Sequence, residues 1–428
     1  MNPFYHTDVR LRQGGVVSRR DVLRSAAAGL VGGALGFTDL MSLQADELRR
    51  QGKACILLWM QGAPSQLETF DPKPGTKTGG ETKAISTSVS GVKIAENLPN
   101  VAKVMKDLAV IRSLTNQEGN HLRATYQLHT GYAPTATVKH PTLGSIVASE
   151  IGDPTCELPA FVRIGQTRAG GGGGFLGVEH DPFALASADR PPNHTTVLTR
   201  EDRFLRRLDL SSRLEEDFAE SGGKSQVEDH RKLYKKAARM VLSSEMKAFD
   251  LSQESESTRN AYGKTPFGSG CLLARRLVET GVTFVEVTLG SWDTHQDNFD
   301  RVRALTKQLD QPYAHLITDL KQRGMLDSTL VIWMGEFGRT PRINPRGGRD
   351  HFPRAFSGAL AGGGVQGGQV IGATDASGNS IAARPVNVPS LFQSFCKSLA
   401  INPAKENLSP IGRPIALVNG GEPVAELF

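Results

Sequence analysis

Two short motifs in the second half of the chain pair a carboxylate with an imidazole. They are the segments WDTH at 292–295 and GRDH at 348–351, and a further carboxylate lies between them in GEFGR at 335–339. The candidate metal ligands are Asp293, His295, Glu336, Asp350 and His351. Carboxylates and imidazoles without cysteine suit a divalent cation such as zinc, manganese or iron. The motifs therefore predict a divalent metal site, and the alternative is that they are structural loop residues.

Three other residues are candidates for catalysis at the same site. His121, in the segment NQEGNH, has the chemistry of a general base or a covalent nucleophile. Arg339 and Arg349 carry guanidinium groups, which suit phosphate, sulfate or carboxylate and would stabilise an anionic transition state. The alternative for His121 is a hydrogen-bonded loop histidine. Glu68 and Asp71 are equally well explained as caps of the following turn.

Buried strands precede these residues along the chain. The strand candidates are 54–60, 108–114, 282–289 and 329–334. The first, ACILLWM, is a continuous apolar run, which is typical of a strand buried on both faces. A helix is predicted from Pro266, after a Thr265 cap, to Gly281, and another carries apolar residues from Val302 onward and stops near Gly324.

Strands that alternate with helices over short connections predict an α/β fold with a parallel sheet. In such sheets ligands bind beyond the carboxyl ends of the strands. Because the candidate residues come after predicted strands, we expect them to meet at one rim. The stretch 160–262 is less regular and is predicted to be an irregular or helical insertion, in which Gly170–Gly174 form a flexible loop.

The start of the chain has the layout of an export signal. Arg19 and Arg20 precede an apolar stretch from Ala26 to Phe37 that is rich in glycine and alanine. This pattern predicts a twin-arginine signal peptide over residues 1–45, with the alternative of an amphipathic surface helix. The signal implies the twin-arginine translocase as a partner during export and a periplasmic or extracellular location. Since this route carries folded proteins, a metal can be loaded before export.

Composition narrows the class of ligand. The formal net charge is +6 over 428 residues, and removal of residues 1–45 leaves about +4 because they hold five basic and three acidic residues. This mild basic excess suits an anionic substrate and, without a basic tract, argues against nucleic acid. After the leader no apolar run is long enough for a membrane span. The four cysteines are widely spaced and show no Cys/His ligand pattern, and Cys55, Cys271 and Cys396 lie among apolar residues, which favours buried thiols over disulfide bridges.

Several of these segments together resemble one known family. They are ILLWMQGAPSQLETFDPKP, YGKTPFGSGCLLARRLVETGV, WDTHQDNF, MGEFGRTPRIN, GRDHFPRAF and LAGGGVQGGQVIGATD. The likeness covers nearly the whole chain after the leader and identifies it as a member of the family called domain of unknown function 1501, a branch similar to the alkaline phosphatase and sulfatase superfamily. The resemblance implies a three-layer α/β sandwich with a mostly parallel central sheet over residues 46–428. It also implies that Asp293, His295 and His351 are metal ligands.

The chain departs from the superfamily pattern at three positions. Gln61 stands where the resemblance implies an aspartate, Glu336-Phe337 stands for an Asp-His pair, and His121 occupies the nucleophile position. Two functions remain open on these residues. One is a metal-dependent hydrolase of phosphate or sulfate esters in which water attacks. The other is a catalytically degenerate protein that binds a small anionic ester or a sulfated glycan through its metal.

Overall fold

The computed structural model describes residues 52–166, 171–193, 195 and 197–428, together with the backbone of two short strands near the start of the chain. These two strands, Val9–Leu11 and Gly15–Val17, pair antiparallel. The Arg19-Arg20 pair of the predicted export signal lies outside the described residues. No described helix is both long enough and apolar enough to cross a bilayer.

A central sheet of nine strands organises the described part of the chain. The strands, numbered in chain order, are Ala54–Met60 (β1), Leu108–Thr115 (β2), Phe161–Ile164 (β3), Phe183–Leu185 (β4), Phe284–Leu289 (β5), Thr329–Met334 (β6), Phe356–Ala361 (β7), Gln369–Ile371 (β8) and Val386–Asn387 (β9). Their order is β8-β2-β7-β6-β1-β5-β3-β4, and β9 also pairs with β2. Only β7 among them runs antiparallel to its neighbours. The predicted α/β class with a mostly parallel sheet is confirmed.

Helices cover both faces of this sheet. Those of eight or more residues are His121–Thr130 (α1), Leu143–Ile151 (α2), Glu201–Leu214 (α3), Lys224–Leu242 (α4), Pro266–Glu279 (α5), Asn298–Gln322 (α6) and Val388–Leu399 (α7). Shorter α-helices span Pro99–Lys103, Glu216–Phe218 and Glu256–Ala261. Helices α5 and α6 pack on one face, and α1, α2 and α7 pack on the other. The predicted three-layer sandwich is therefore the observed architecture.

Strand β1 shows why the sandwich forms. Its side chains alternate between the two cores: Ile56 and Leu58 contact one helical layer, and Leu57 and Trp59 contact the other. All seven residues of the strand are buried, as a strand covered on both faces requires. The observed strand coincides with the predicted segment because no polar residue interrupts the run.

Helix boundaries match the capping signals. The Thr265 hydroxyl accepts a hydrogen bond from the Gly268 amide, and Pro266 takes the first helical position of α5. Helix α6 ends two residues before Gly324, whose φ of +70° is costly for a residue with a side chain. Both ends lie within two residues of the predicted ones.

The stretch 160–262 holds more regular structure than predicted. Helices α3 and α4 form the expected charged helical part, but β3 and β4 add two strands to the edge of the central sheet. Strand β3 has only four residues and contains Arg163, which is buried against Glu286, so its sequence lacks an apolar run. The described part of the predicted flexible glycine loop is held by hydrogen bonds, among them Arg163 Nη1 to the Gly171 carbonyl at 3.2 Å.

Short antiparallel pairs complete the fold. They are Ala84–Ser86 with Lys93–Ala95, Gly338–Arg339 with His351–Phe352, Ala373–Thr374 with Ile381–Ala383, and Glu406–Leu408 with Pro414–Ala416. The second pair matters most for the candidate site, because it places Arg339 opposite His351 just beyond the end of β6.

Candidate metal centre

The chemistry-bearing loops leave the sheet at a common rim. Strands β1, β5 and β6 end at the same level, with Met60 paired to Leu289 and Trp59 paired to Met334. The WDTH segment comes after β5, and the GEFGR segment comes after β6. Neighbouring strands are about 5 Å apart, so side chains from these adjacent loops are within reach of one another.

His121 reaches the rim from a third strand. It is the first residue of α1, and Asn120 before it caps the helix by accepting from the amides of Leu122 and Arg123. This cap fixes where the helix begins after β2, and it thereby fixes the direction in which the imidazole leaves the backbone. His121 therefore faces the loops that come after β5 and β6.

Backbone contacts hold the two Asp-His motifs together. Gln296 forms an antiparallel bridge with Gly347, and the Arg349 amide donates to the Thr294 carbonyl at 3.0 Å. A methyl group added to Gly348 would lie 2.0 Å from the backbone carbon of His295, so only glycine permits this approach. The motifs lie more than fifty residues apart in sequence and are brought together by this contact.

Three imidazole nitrogens surround one carboxylate oxygen. Asp293 Oδ1 lies 3.4 Å from His121 Nε2, 3.2 Å from His295 Nε2 and 3.4 Å from His351 Nε2. The side chains are 28 to 41 % exposed, so the cluster is open to solvent. His121, Asp293 and His351 together meet the spacing expected of ligands to one metal ion.

Each of the three imidazoles is held from behind at Nδ1. His121 Nδ1 lies 2.8 Å from Glu336 Oε1, and His295 Nδ1 lies 2.8 Å from Asp350 Oδ1. His351 Nδ1 lies 2.8 Å from the carbonyl oxygen of Gly119. Because all three partners are acceptors, each ring carries a proton at Nδ1 and directs Nε2 toward Asp293. An acceptor behind each imidazole is the usual arrangement around a metal-bound histidine.

The inward-facing atoms fit a cation. His295 Nε2 and His351 Nε2 are only 3.0 Å apart, and two lone pairs at that separation repel unless a proton or a metal ion lies between them. His121 Nε2 is buried and has no hydrogen-bond partner closer than the 3.4 Å contact with Asp293 among the described residues. A set of imidazoles and one carboxylate, without thiolates, suits zinc, manganese or iron.

Charge is concentrated at this cluster. Burial by itself lowers the pKa of His121, but hydrogen bonds to Asp293 and Glu336 outweigh it and raise that pKa to about 9. Burial by itself raises the pKa of Asp293, but contacts with His121, His351 and Arg339 outweigh it and hold that pKa well below the usual range. The carboxylate of Asp293 therefore stays ionised, as a metal ligand must.

Glu336 and Asp350 lie behind the imidazoles and not beside the inward-facing nitrogens. Glu336 is fully buried, and its Oε1 also accepts from the Gly62 amide at 2.9 Å. Asp350 is exposed, and its contact with His295 lowers its pKa. Their observed contacts orient His121 and His295, whereas the motifs alone predict that both carboxylates bind the ion directly.

Arg339 contacts the cluster, but as an internal support. It is fully buried and donates to the carbonyls of Gly62, Ala63 and Arg349, and its Nη2 lies 2.6 Å from Asp293 Oδ1. Its donors are thus directed at protein groups, and the guanidinium holds the aspartate in place.

Arg349 does not reach the cluster. Its guanidinium forms two bonds to Glu68, at 3.1 and 2.7 Å, and three more to backbone carbonyls of Thr78, Thr340 and Pro341. Both charged side chains of the ion pair are completely buried. The expected role in stabilising a substrate anion does not fit this position, because a guanidinium with all its bonds inside the protein cannot meet a ligand. The pair instead anchors the loop that carries Asp350 and His351.

Sequence reasoning missed three contributors to the site. Asn344 donates to Asp350 Oδ1 at 3.2 Å and to the His295 carbonyl at 3.0 Å. Phe337 packs against the rings of His121 and His351, with centroids 4.9 and 4.8 Å apart. Nothing in the local sequence marks Asn344, but a phenylalanine among polar residues, three positions after the end of β6, is a signal of a side chain packed within the site.

Gly62 is the third contributor. Its amide donates a hydrogen bond to Glu336, and its carbonyl accepts one from Arg339. A Cβ at this position would lie 2.6 Å from the Asp293 amide nitrogen. With a φ of +108°, this turn after β1 requires glycine. The Gln61-Gly62 step after a strand is the signal that was available.

Comparison with known proteins places the chain in a family. The chain belongs to the family described as protein of unknown function (DUF1501), whose model matches residues 52–428. A search of curated proteins returned no match. The resemblance identified from the motifs is thus confirmed at the family level.

Solved structures with a similar chain path are remote in sequence. The sulfatase PsFucS1 from Pseudoalteromonas sp. is 13 % identical with a TM-score of 0.40, over 84 % of this chain and 72 % of that one. A protein in the alkaline phosphatase superfamily from Vibrio parahaemolyticus is 11 % identical with a TM-score of 0.33, and the match covers 83 % of this chain and 74 % of that one. The alkaline phosphatase from the Antarctic bacterium TAB5 is 13 % identical with a TM-score of 0.34, and the match covers 74 % of this chain and 94 % of that one.

Proposed function

We propose that this protein is an exported, metal-dependent hydrolase of phosphate or sulfate esters. The observation that carries the proposal is the group of three imidazole Nε2 atoms around Asp293, each imidazole being held at Nδ1 by an acceptor. His295 Nε2 and His351 Nε2 lie 3.0 Å apart beside this carboxylate, and a bound cation would remove the repulsion between their lone pairs.

Asp293, His295 and His351 are the residues that would hold the ion, since their three inward-facing atoms lie within 3.4 Å of one another. A divalent ion supplies Lewis acidity toward the ester oxygens and increases the acidity of water. Asp293 is kept in place by Arg339, and His295 is kept in place by Asp350.

His121 is assigned the proton-transfer role. It lies on the first turn of α1 with Nε2 3.4 Å from Asp293 Oδ1, and Glu336 behind it stabilises a proton on the ring. Because the pKa of His121 is raised to about 9, the ring is protonated near neutral pH, and Nε2 can give its proton to the leaving oxygen as a general acid. Attack by water needs no serine or threonine nucleophile. The helix N-terminus adds a partial positive charge that favours an anionic substrate at this position.

A second candidate function is favoured by the state of the two arginines. Neither Arg339 nor Arg349 points a guanidinium into solution, so the predicted stabilisers of transition-state charge are committed elsewhere. A protein that binds an anionic ester or sulfated glycan through its metal, without turnover, accounts for that observation.

Metal content and turnover of the natively exported protein test both functions. We expect about one divalent ion per chain by elemental analysis, lost in H295A and kept in H121A. His295 is assigned to the ion, whereas His121 is assigned to proton transfer, although its Nε2 also meets the spacing of a ligand. The control H230A removes an imidazole in the helical insertion and leaves the metal in place.

Turnover of an aryl phosphate or aryl sulfate then separates enzyme from binder. A hydrolase loses turnover in both H295A and H121A, and H121A falls by about 10²-fold or more if the imidazole transfers protons. A binder retains metal-dependent affinity for a sulfated or phosphorylated ligand and shows no turnover above the H295A background. Absence of metal from the native protein would contradict both functions together.

A further inference from the structure

The helical insertion carries an exposed apolar stripe on α3. One side of this helix, with Leu208 and Ser212, lines a groove shared with Tyr234 of α4. The other side carries Leu210 and Leu214, whose exposed fractions are 57 and 74 %. Residues two apart in an α-helix point to nearly opposite sides, so these leucines face away from the groove that α3 shares with α4. Large apolar side chains exposed together on a charged helix are typical of a contact surface.

Charged residues flank the two leucines in a symmetric order. Arg207 lies three residues before Leu210, and Asp217 lies three residues after Leu214. The backbone stays helical beyond α3, through Glu216–Phe218. The spacing of three, four and three residues therefore places all four side chains on one side of the helix, as in the seam of a coiled coil.

The two flanking charges are available to a partner. Arg207 and Asp217 are exposed, and neither forms an ion pair with another residue that the structure describes. By contrast, Arg206 and Arg213 on the same helix are paired with acidic residues one turn earlier. The seam thus has an unpaired cation at one end, an unpaired anion at the other and leucines between them, as far as the described residues extend.

We infer that this seam, defined by Arg207, Leu210, Leu214 and Asp217, is an antiparallel contact between two copies of the chain. A two-fold axis at residue 212 places Leu210 against the partner's Leu214 and Arg207 against the partner's Asp217, and symmetry forms each pair twice. A parallel arrangement would instead set like charges against each other. This contact lies in the insertion and does not depend on the metal site.

A charge exchange across the two-fold axis tests this pairing in the full-length protein. We expect the native chain to shift toward twice the monomer mass as its concentration rises in sedimentation equilibrium at low salt. Each of R207E and D217R brings like charges together twice per dimer and weakens association about tenfold. The double variant R207E/D217R restores opposite charges in the reversed sense and recovers affinity to within about threefold of the native chain.

The control K307E changes an exposed lysine on α6 by the same charge and is expected to associate as the native chain does. Helix content and the thermal midpoint, measured on every variant, show that each chain is folded. Three results would overturn the inference: a native chain that stays monomeric at all concentrations, single variants that associate as tightly as the native chain, or a double variant no tighter than the single ones.

Discussion

At the scale of single residues, the site is defined by which nitrogen of each imidazole is engaged. His121, His295 and His351 all bond an acceptor through Nδ1, and all direct Nε2 at Asp293. Glu336 and Asp350, which the motifs suggest as metal ligands, therefore contact the imidazoles from behind. Such supporting contacts set both the orientation and the basicity of the imidazole.

The two supporting carboxylates are expected to have different effects when neutralised. D350N weakens the hold on His295 and should lower metal affinity about 10 to 100-fold. E336Q weakens the hold on His121 and should leave metal affinity within about threefold of native while lowering turnover about tenfold or more. Competition with a chelator measures the first quantity, and steady-state rates with saturating metal measure the second. Equal effects of the two variants on metal affinity would contradict the division of roles.

At the scale of elements, the short pair formed by Gly338–Arg339 and His351–Phe352 decides where the second Asp-His motif lies. Arg349 anchors this pair from inside the protein through Glu68, and the face of Phe299 lies under the guanidinium at 5.5 Å. An arginine in a motif with aspartate and histidine thus supports the loop instead of facing the ligand.

Removing one member of this buried ion pair should be strongly destabilising. E68Q leaves the Arg349 guanidinium buried without a counter-ion, which costs about 3 to 5 kcal/mol of unfolding free energy. The matched change E426Q, in the exposed pair of Arg384 and Glu426 at 2.6 Å, should cost no more than about 1 kcal/mol. Urea unfolding measures both, with chelator present throughout so that loss of metal does not enter the comparison. Similar midpoints for the two variants would show that the buried pair is not an anchor.

At the scale of the whole molecule, the sheet brings together loops that are distant in sequence. The parallel strands β1, β5 and β6 end side by side, and β2 delivers His121 to the same rim. A folded domain with the proposed metal site would be able to take up its ion before it crosses a membrane. The predicted twin-arginine signal would provide a route for that.

Export itself is tested by the two arginines of the leader. R19K/R20K should leave the full-length chain in the cytoplasm, because a lysine pair cannot replace the planar guanidinium groups that the signal presents. Fractionation followed by immunoblotting measures the distribution. The control R10K/R12K changes two other leader arginines and should be exported normally. Continued export of R19K/R20K would show that the leader is not a twin-arginine signal.

The amino-acid sequence alone was enough to predict most of the elements and the approximate location of the site. Apolar runs such as ACILLWM must be buried, caps such as Thr265-Pro266 start helices, and polar motifs directly after strands must lie at one rim of a parallel sheet. These are local properties, because each depends on residues within a few positions of one another. The strands β3 and β4 were not predicted, because β3 has four residues with a buried ion-paired arginine among them and β4 has only three residues.

The role of each side chain within the site depends on the three-dimensional arrangement. Glu336, Asp350, Arg339 and Arg349 have the residue types of ligands and anion binders. The structure places the two carboxylates behind histidines, Arg339 against Asp293 and Arg349 in a separate buried pair. Whether a carboxylate meets the ion or the back of a histidine depends on a difference of a few ångströms. That difference is set by contacts such as the approach of Gly348 to His295, which join segments far apart in the chain. Such contacts cannot be predicted from the residues of either segment alone.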